Sequence, residues 1–257
     1  MSSSEWIRPE WPVPSKVRAL ITTRAGGRSA GPYGAPAGGG MNLGLGSGDD
    51  AAVVLSNRAR LRDVLPAEPR WLRQVHGAHV VDAAAVDGTV EADAAVSDHA
   101  GTVAVAMVAD CMPVLFSDER GRCVGVAHAG WRGLAAGVLQ ATARAMRARL
   151  SDPDARLLAY LGPALGPDHF EVGSDVLEAM TVSLTGAEAA FVAAGAGKYR
   201  ADLFTLGRMA LAEERIEAIF GGGVCTYCDA ARFYSHRRDR VTGRHAALIW
   251  IEPGRAA

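Results

Sequence analysis

The chain has 257 residues, of which 49% are hydrophobic and 21% charged, and its formal net charge is -1. That is enough chain for one large domain or two small ones, of ordinary globular composition, and near neutrality gives no electrostatic reason to expect nucleic acid or an anionic membrane as partner. No apolar run reaches the length of a membrane-spanning helix, MSSSEWIRPEWP lacks the pattern of a secretory signal, and four cysteines make no disulfide framework, so a reduced, cytoplasmic setting is expected.

Residues 1–15 read as an N-terminal arm. VRALIT (17–22) reads as a strand leading into a Gly/Pro-rich loop over residues 25–48; a loop of that length is uncommon in a compact domain and often functional. Asp49 or Asp50 then caps a helix whose apolar face is Val54, Leu61 and Leu65. RWLRQVHGAHVVD (70–82) reads as two short extended runs broken at His76-Gly77. TVAVAM (103–108), CVGVA (123–127) and LLAYL (157–161) have the length and apolar content of buried strands. GLAAGVLQATARAMRARL (133–150) reads as one helix with Leu134, Val138, Met146 and Leu150 inward and its three arginines toward water. Asp202 can cap a second long helix reaching to Phe220, and HAALIWI closes the chain as a strand. No repeat or composition break divides the chain, so the expectation is one α+β, or mixed α/β, domain over residues 1–257.

The stretch VADCMPVLFSDERGRCVGVAHAGWRG (108–133) concentrates the chemistry. Cys111 follows one apolar strand and His128 another. If those strands are neighbours joined by the hairpin-like SDERGR, both side chains lie at one sheet region. Either residue type can act as nucleophile, base or metal ligand. A buried Cys is also commonly a small hydrophobe, and a His a satisfied hydrogen bonder. Asp110 is an acid/base candidate or a strand-end turn residue.

TTRAGGRSAGPY, MNLG, RQVHG, ADAAVS, ADCMPVLF, AHAGWRG, GPALGPDHFEVG and FYSHRRD with VTGR occur in order along nearly the whole chain. Together they resemble the YfiH/laccase-domain family, which includes the YlmD-type bacterial proteins. The resemblance implies sheets packed centrally with helices outside, a fold akin to that of toxin deamidases of the CNF type. It also implies a zinc ion held by His76, Cys111 and His128. Such a set matches catalytic zinc, with three protein ligands and one open position, and thiolate and imidazole favour zinc over magnesium or calcium. Copper binds the same donors at least as well. A multicopper phenol oxidase, however, needs more histidines than the seven at positions 76, 79, 99, 128, 169, 236 and 245.

The activity that the resemblance implies is phosphorolysis of adenosine, inosine, guanosine and methylthioadenosine, with adenosine deamination at the same site. Phosphate calls for arginine forks, and Arg24, Arg73, Arg237 and Arg238 are the candidates, each equally readable as a salt-bridging arginine. Deamination calls for an activated water and an acid/base. The purine needs a slot with polar edges, for which Asn42, Phe233 and His236 are candidates; Asn42 can instead stabilise its own loop. Glu171 supplies a carboxylate to the site or opens the following helix. The Gly-Trp-Arg-Gly turn starts a helix whose amides can hold an anion. Two other classes stand beside this one: a Cys111/His128 amide hydrolase editing peptidoglycan precursors without metal, and a non-catalytic zinc-binding module. Cys225-Thr-Tyr-Cys228 has redox or metal spacing but no second pair or thioredoxin-like surroundings, and Cys123 reads as core.

Overall fold

The computed structural model describes residues 6–88 and 90–254, so the first five residues of the expected N-terminal arm lie outside the described residues. Its backbone is ordered as layers. A three-stranded antiparallel sheet is built from β1 (Val17–Ile21), β5 (Ala104–Val108) and β13 (His245–Ile251), with β13 in the middle. A six-stranded mixed sheet contains β3 (Val80–Asp82), β4 (Ala94–Ser97), β6 (Met112–Asp118), β7 (Val124–Ala129), β8 (Leu157–Leu161) and β12 (Ala218–Gly221), in the order β12-β8-β6-β7-β4-β3. A small antiparallel sheet of β9 (Glu171–Gly173), β10 (Phe191–Gly195) and β11 (Lys198–Ala201) lies apart.

Strand alternation explains the layering, because successive side chains leave opposite faces. In β13, Ala247, Ile249 and Ile251 meet Leu115, Val124 and Val126 of the large sheet, whereas Ala246, Leu248 and Trp250 pack with Met41, Leu43 and Leu61. The large sheet in turn covers its other face: Val114 and Phe116 join Leu139, Met146, Leu206 and Leu211 from α3 (Val138–Leu150) and α5 (Leu203–Glu213). Strands buried on both faces read as continuous apolar runs, which is why β5, β8 and β13 stood out in the sequence. The expected α+β architecture of central sheets with outer helices holds.

Several local expectations need correction. The 25–48 stretch is not patternless: β2 (Ala25–Ser29) lies within it, and Asn57 of α1 (Ala51–Arg62) donates to the carbonyls of Gly40 and Asn42 and to Ser29. Of the two expected caps it is Asp50 that caps α1, while Leu65, expected on the helix face, is buried beyond the helix end. In residues 70–82 only β3 is regular; Arg70 and Arg73 make isolated bridges. The 133–150 helix is two, α2 (Trp131–Ala135) and α3, separated by Gly137 in the left-handed region at φ 81°. Of its arginines only Arg144 is well exposed, while Arg147 pairs with Glu214 and Arg149 with Asp82 and Asp98. The helix capped by Asp202 stops at Glu213, where Arg215 turns the chain with φ 58°, and Ala218–Gly221 is strand.

Candidate active site

Cys111 sits on the short link between β5 and β6, which is also the crossing from the three-stranded to the six-stranded sheet. The strand paired with β7 is therefore β6, which escaped the sequence reading. His128 lies within β7, opposite Pro113, two residues beyond Cys111. His76 arrives from the irregular segment before β3. Two of the residues here hold uncommon backbone conformations, His76 with φ 62° and Asp110 with φ 90°. Non-glycine residues in that region are strained, and such strain concentrates at functional sites.

The three ligand-capable atoms of His76, Cys111 and His128 lie within 4.8 Å of one another, with His76 exposed, Cys111 half-buried and His128 buried. The two imidazoles meet edge to face, with centroids 4.7 Å apart. Gly130 makes this convergence sterically feasible: a Cβ there would stand 2.8 Å from the Cys111 sulfur and 3.4 Å from His76 Cδ2.

Asp93 organises the cluster and was not singled out from the sequence. Its carboxylate is fully buried; it accepts from the amides of Val75, His76 and Gly77 and stands 2.8 Å from His128 Nδ1. One side chain thereby pins the strained His76 turn and leaves His128 Nε2 facing the cluster. The available signal was an acid inside the apolar run ADAAVS, where a buried carboxylate requires partners. Burial alone pushes the Asp93 carboxyl up, but the His128 hydrogen bond and charge with the Gly77 and His76 amides bring it below its ordinary value. Burial likewise opposes ionisation of Cys111. The charge of His128 and hydrogen bonds from both histidines outweigh it, so the thiol falls below its usual range. His128 rises correspondingly, against its burial, because Cys111 and Asp93 flank it.

These residues fit a metal ion. One thiolate and two imidazoles form a zinc-type donor set, and tetrahedral ligands at zinc distances stand about 3.5 Å apart, compatible with the observed spread. The carboxylate behind His128 is the usual partner of a metal-bound imidazole.

The cluster opens into a cavity of about 640 Å³, whose lining includes Arg73, Asp110, Arg132, His236, Arg237 and Arg244. That volume suits a small organic ligand. Arg237 and His236 come from α6 (His236–Asp239), capped by Ser235. The Arg237 amide donates to Asp110 Oδ2 at 2.6 Å and its guanidinium to the carbonyls of His169 and Glu171. The other Asp110 oxygen receives the Thr226 hydroxyl at 2.6 Å. Asp110 thus joins two loops, with both carboxylate oxygens occupied. Arg73 is well exposed and paired with Glu91 at 3.0 Å.

Four sequence candidates lie off the cavity wall. Arg24 donates to Gly34 and Ala230 and pairs with Asp239. Arg238 is consumed by Asp239 and by the carbonyls of Thr226, Tyr227 and Phe233. Fully buried Asn42 donates to Ser47 and Asp49 and accepts from the amides of Gly44 and Arg244, so it stabilises its loop. Phe233 is core, packed against His245. Glu171 is in β9 with an exposed side chain, not at a helix start. The Gly-Trp-Arg-Gly segment does open a helix, α2, but of only five residues. Arg244, from the VTGR segment, went unnoticed. Its Nη1 bonds the carbonyls of Thr242 and Gly243, leaving Nε and Nη2 without a partner among the described residues.

A central-sheet α+β protein with a Cys-His-His cluster at the crossing of its sheets, opening into an arginine-bearing cavity, has the build of a small-molecule-binding metalloprotein. Over residues 18–252 the chain matches the family described as multi-copper polyphenol oxidoreductase laccase, and it belongs to that family, whose bacterial members include proteins named YfiH. It is 46% identical over 248 residues to a purine nucleoside phosphorylase of Pseudomonas aeruginosa, covering 96% of this chain and 98% of that protein. It is 45% identical over 251 residues to the purine nucleoside phosphorylase YfiH of Escherichia coli, with 96% and 99% coverage. The crystal structure of a Neisseria meningitidis protein superposes with TM-score 0.89 at 43% identity, covering 97% of this chain and all of that one.

Proposed function

We propose that this protein is a zinc-dependent purine nucleoside phosphorylase acting on adenosine, inosine, guanosine and methylthioadenosine, with adenosine deamination at the same site. The observation that carries the reading is the single cavity that joins the His76/Cys111/His128 cluster to Arg237 and Arg244. The names of its relatives point the same way.

His76, Cys111 and His128 would hold the zinc; copper suits the same donors. When bound, zinc supplies a Lewis acid and lowers the pKa of a water. The remaining roles belong to the chain. The two uncommitted nitrogens of Arg244 and the guanidinium of Arg237 offer the forked geometry that phosphate oxygens match, with a charge that attracts the anion. Asp110 sets the position of Arg237 through its amide and so fixes one arm of that fork. His236 lines the cavity and offers a donor or acceptor to the purine edge. Leu72, Leu165, Phe170 and Leu203 line it as well and give the base an apolar bed that excludes water. Holding phosphate and nucleoside together contributes the orientation on which a two-substrate reaction depends.

One observation favours a second reading. Cys111, His128 and Asp93 stand in series, the Cys111 sulfur within 4.8 Å of a His128 ring nitrogen and His128 Nδ1 at 2.8 Å from Asp93, the order of a nucleophile, its base and the group orienting that base. An amide hydrolase built on them does not require His76. The test measures metal content and phosphate-dependent hypoxanthine release from inosine for the wild type, Cys111→Ala and His76→Ala. About one metal per chain, with release abolished in both variants, supports the phosphorylase. Phosphorolysis that persists in His76→Ala after metal removal overturns it, and amide hydrolysis retained there transfers the site to the second reading.

A further inference from the structure

The Cys-x-x-Cys stretch has no part in the cluster, yet the fold brings it beside the cavity. After β12 the chain makes one turn through Cys225, Thr226, Tyr227 and Cys228, closed by the Asp229 amide donating to the Cys225 carbonyl at 3.3 Å. Residues three apart in such a turn have Cα atoms within about 7 Å, which overlaps the range a disulfide spans. Both thiols stand in this one turn, near enough for Cys225 to raise the Cys228 thiol above its ordinary value. Both are reduced, with Cys228 exposed and Cys225 half-buried. The Cys225 sulfur also accepts from the Gly166 amide at 3.3 Å, packed so closely that a Cβ on Gly166 would meet it at 3.1 Å. Tyr227 stacks on His169, with ring centroids 4.0 Å apart.

Between the two cysteines stands Thr226. Its amide donates to Ala164 and its hydroxyl to Asp110, the residue next to Cys111 that also holds the Arg237 amide. The turn is therefore mechanically joined to the cavity wall without contributing a side chain to it.

We propose that Cys225 and Cys228 are a reversible oxidation site, forming an intramolecular disulfide that clamps Thr226 onto Asp110. A low-molecular-weight disulfide such as glutathione disulfide is the oxidant. The thiolate of exposed Cys228 attacks one of its sulfurs, forming a mixed disulfide and releasing one glutathione thiolate. The thiolate of Cys225 then attacks the Cys228 sulfur, the mixed disulfide breaks, and the second glutathione leaves. Two protein thiols are oxidised, one glutathione disulfide is reduced to two glutathione thiols, and their two protons pass to those products. A closed four-residue ring restrains the open forms of the turn.

The experiment equilibrates the full-length protein with glutathione disulfide, alkylates the remaining thiols and maps the peptides by mass, with Cys228→Ser alongside. The expected product joins Cys225 to Cys228 and leaves Cys123 alkylated. Its Thr226 and Arg237 amides exchange hydrogen about tenfold or more slowly than in the reduced protein, and dithiothreitol reverses this. The serine variant shows no slowing. A pair that stays reduced while glutathione adds to Cys111, or a disulfide that leaves both exchange rates unchanged, overturns the proposal. Neither readout depends on nucleoside turnover.

Discussion

His245 opens the central strand β13 with no solvent exposure, and neither ring nitrogen has a hydrogen-bond partner. Burial, reinforced by the charge of neighbouring Arg244, pushes its imidazole from 6.5 down to about 3. The folded chain therefore holds this ring neutral, whereas the unfolded chain protonates it near 6.5. Folding binds fewer protons, so stability is lost as the pH falls through 6.5, and the loss continues until the folded ring titrates near 3. Between pH 7 and pH 5 the unfolded state gains about 2 kcal/mol from this one proton. His245→Met keeps the volume and removes the titration. Urea unfolding of both proteins at the two pH values should show the wild type losing about 2 kcal/mol more than the variant between pH 7 and pH 5. That is a midpoint change near 0.7 M for a slope of about 3 kcal/mol/M. A change below about 0.5 kcal/mol would mean that the ring finds a partner, and the reasoning from an unpartnered buried imidazole would be refuted.

Other expectations follow from the same geometry. Asp93→Asn keeps the shape but replaces a carboxylate oxygen with an amide nitrogen facing N–H donors. Metal affinity, followed by competition with a chromogenic chelator, should fall about 10- to 100-fold. Gly130→Ala places a methyl 2.8 Å from the Cys111 sulfur, so metal binding should weaken while thermal unfolding shifts little; unchanged affinity would mean the cluster yields at no cost. Arg244→Gln removes a cavity-facing cation and should raise the KM for phosphate about 10- to 100-fold. Arg238→Gln should leave that KM near wild type and lower the melting temperature, because this arginine braces carbonyls of its own loop.

How much was legible varies by element for physical reasons. β8 and β13 were visible to the residue, since strands covered on both faces are apolar throughout. β6 was not, because Pro113 and the Ser117-Asp118 end interrupt its pattern, and only tertiary pairing with β7 and β8 makes it a strand. The break at Gly137 and the stop before Arg215 depend on left-handed backbone that composition does not announce. In the site, the Cys and two His came from motifs, and the structure brings their ligand atoms together. Asp93 and Arg244 were hidden because their importance lies in partners far along the chain, Asp93 reaching 35 residues to His128. Arg24 and Arg238 illustrate the converse: arginines in strong motifs whose donors are committed to backbone carbonyls.

The position of β13 has a consequence for biosynthesis. It lies between β1 and β5, so two strands made early have no partner in their sheet until the last strand exists. Arg244, on the cavity wall, and the amide that latches Asn42 precede it immediately. On a ribosome adding about 5–20 residues per second, β1 waits roughly ten seconds or more with one apolar edge open. The Gly-rich segment stays unlatched for as long. The cavity is therefore among the last features of the nascent chain to close, and a polypeptide released before residue 245 would carry all three cluster residues without a completed cavity around them.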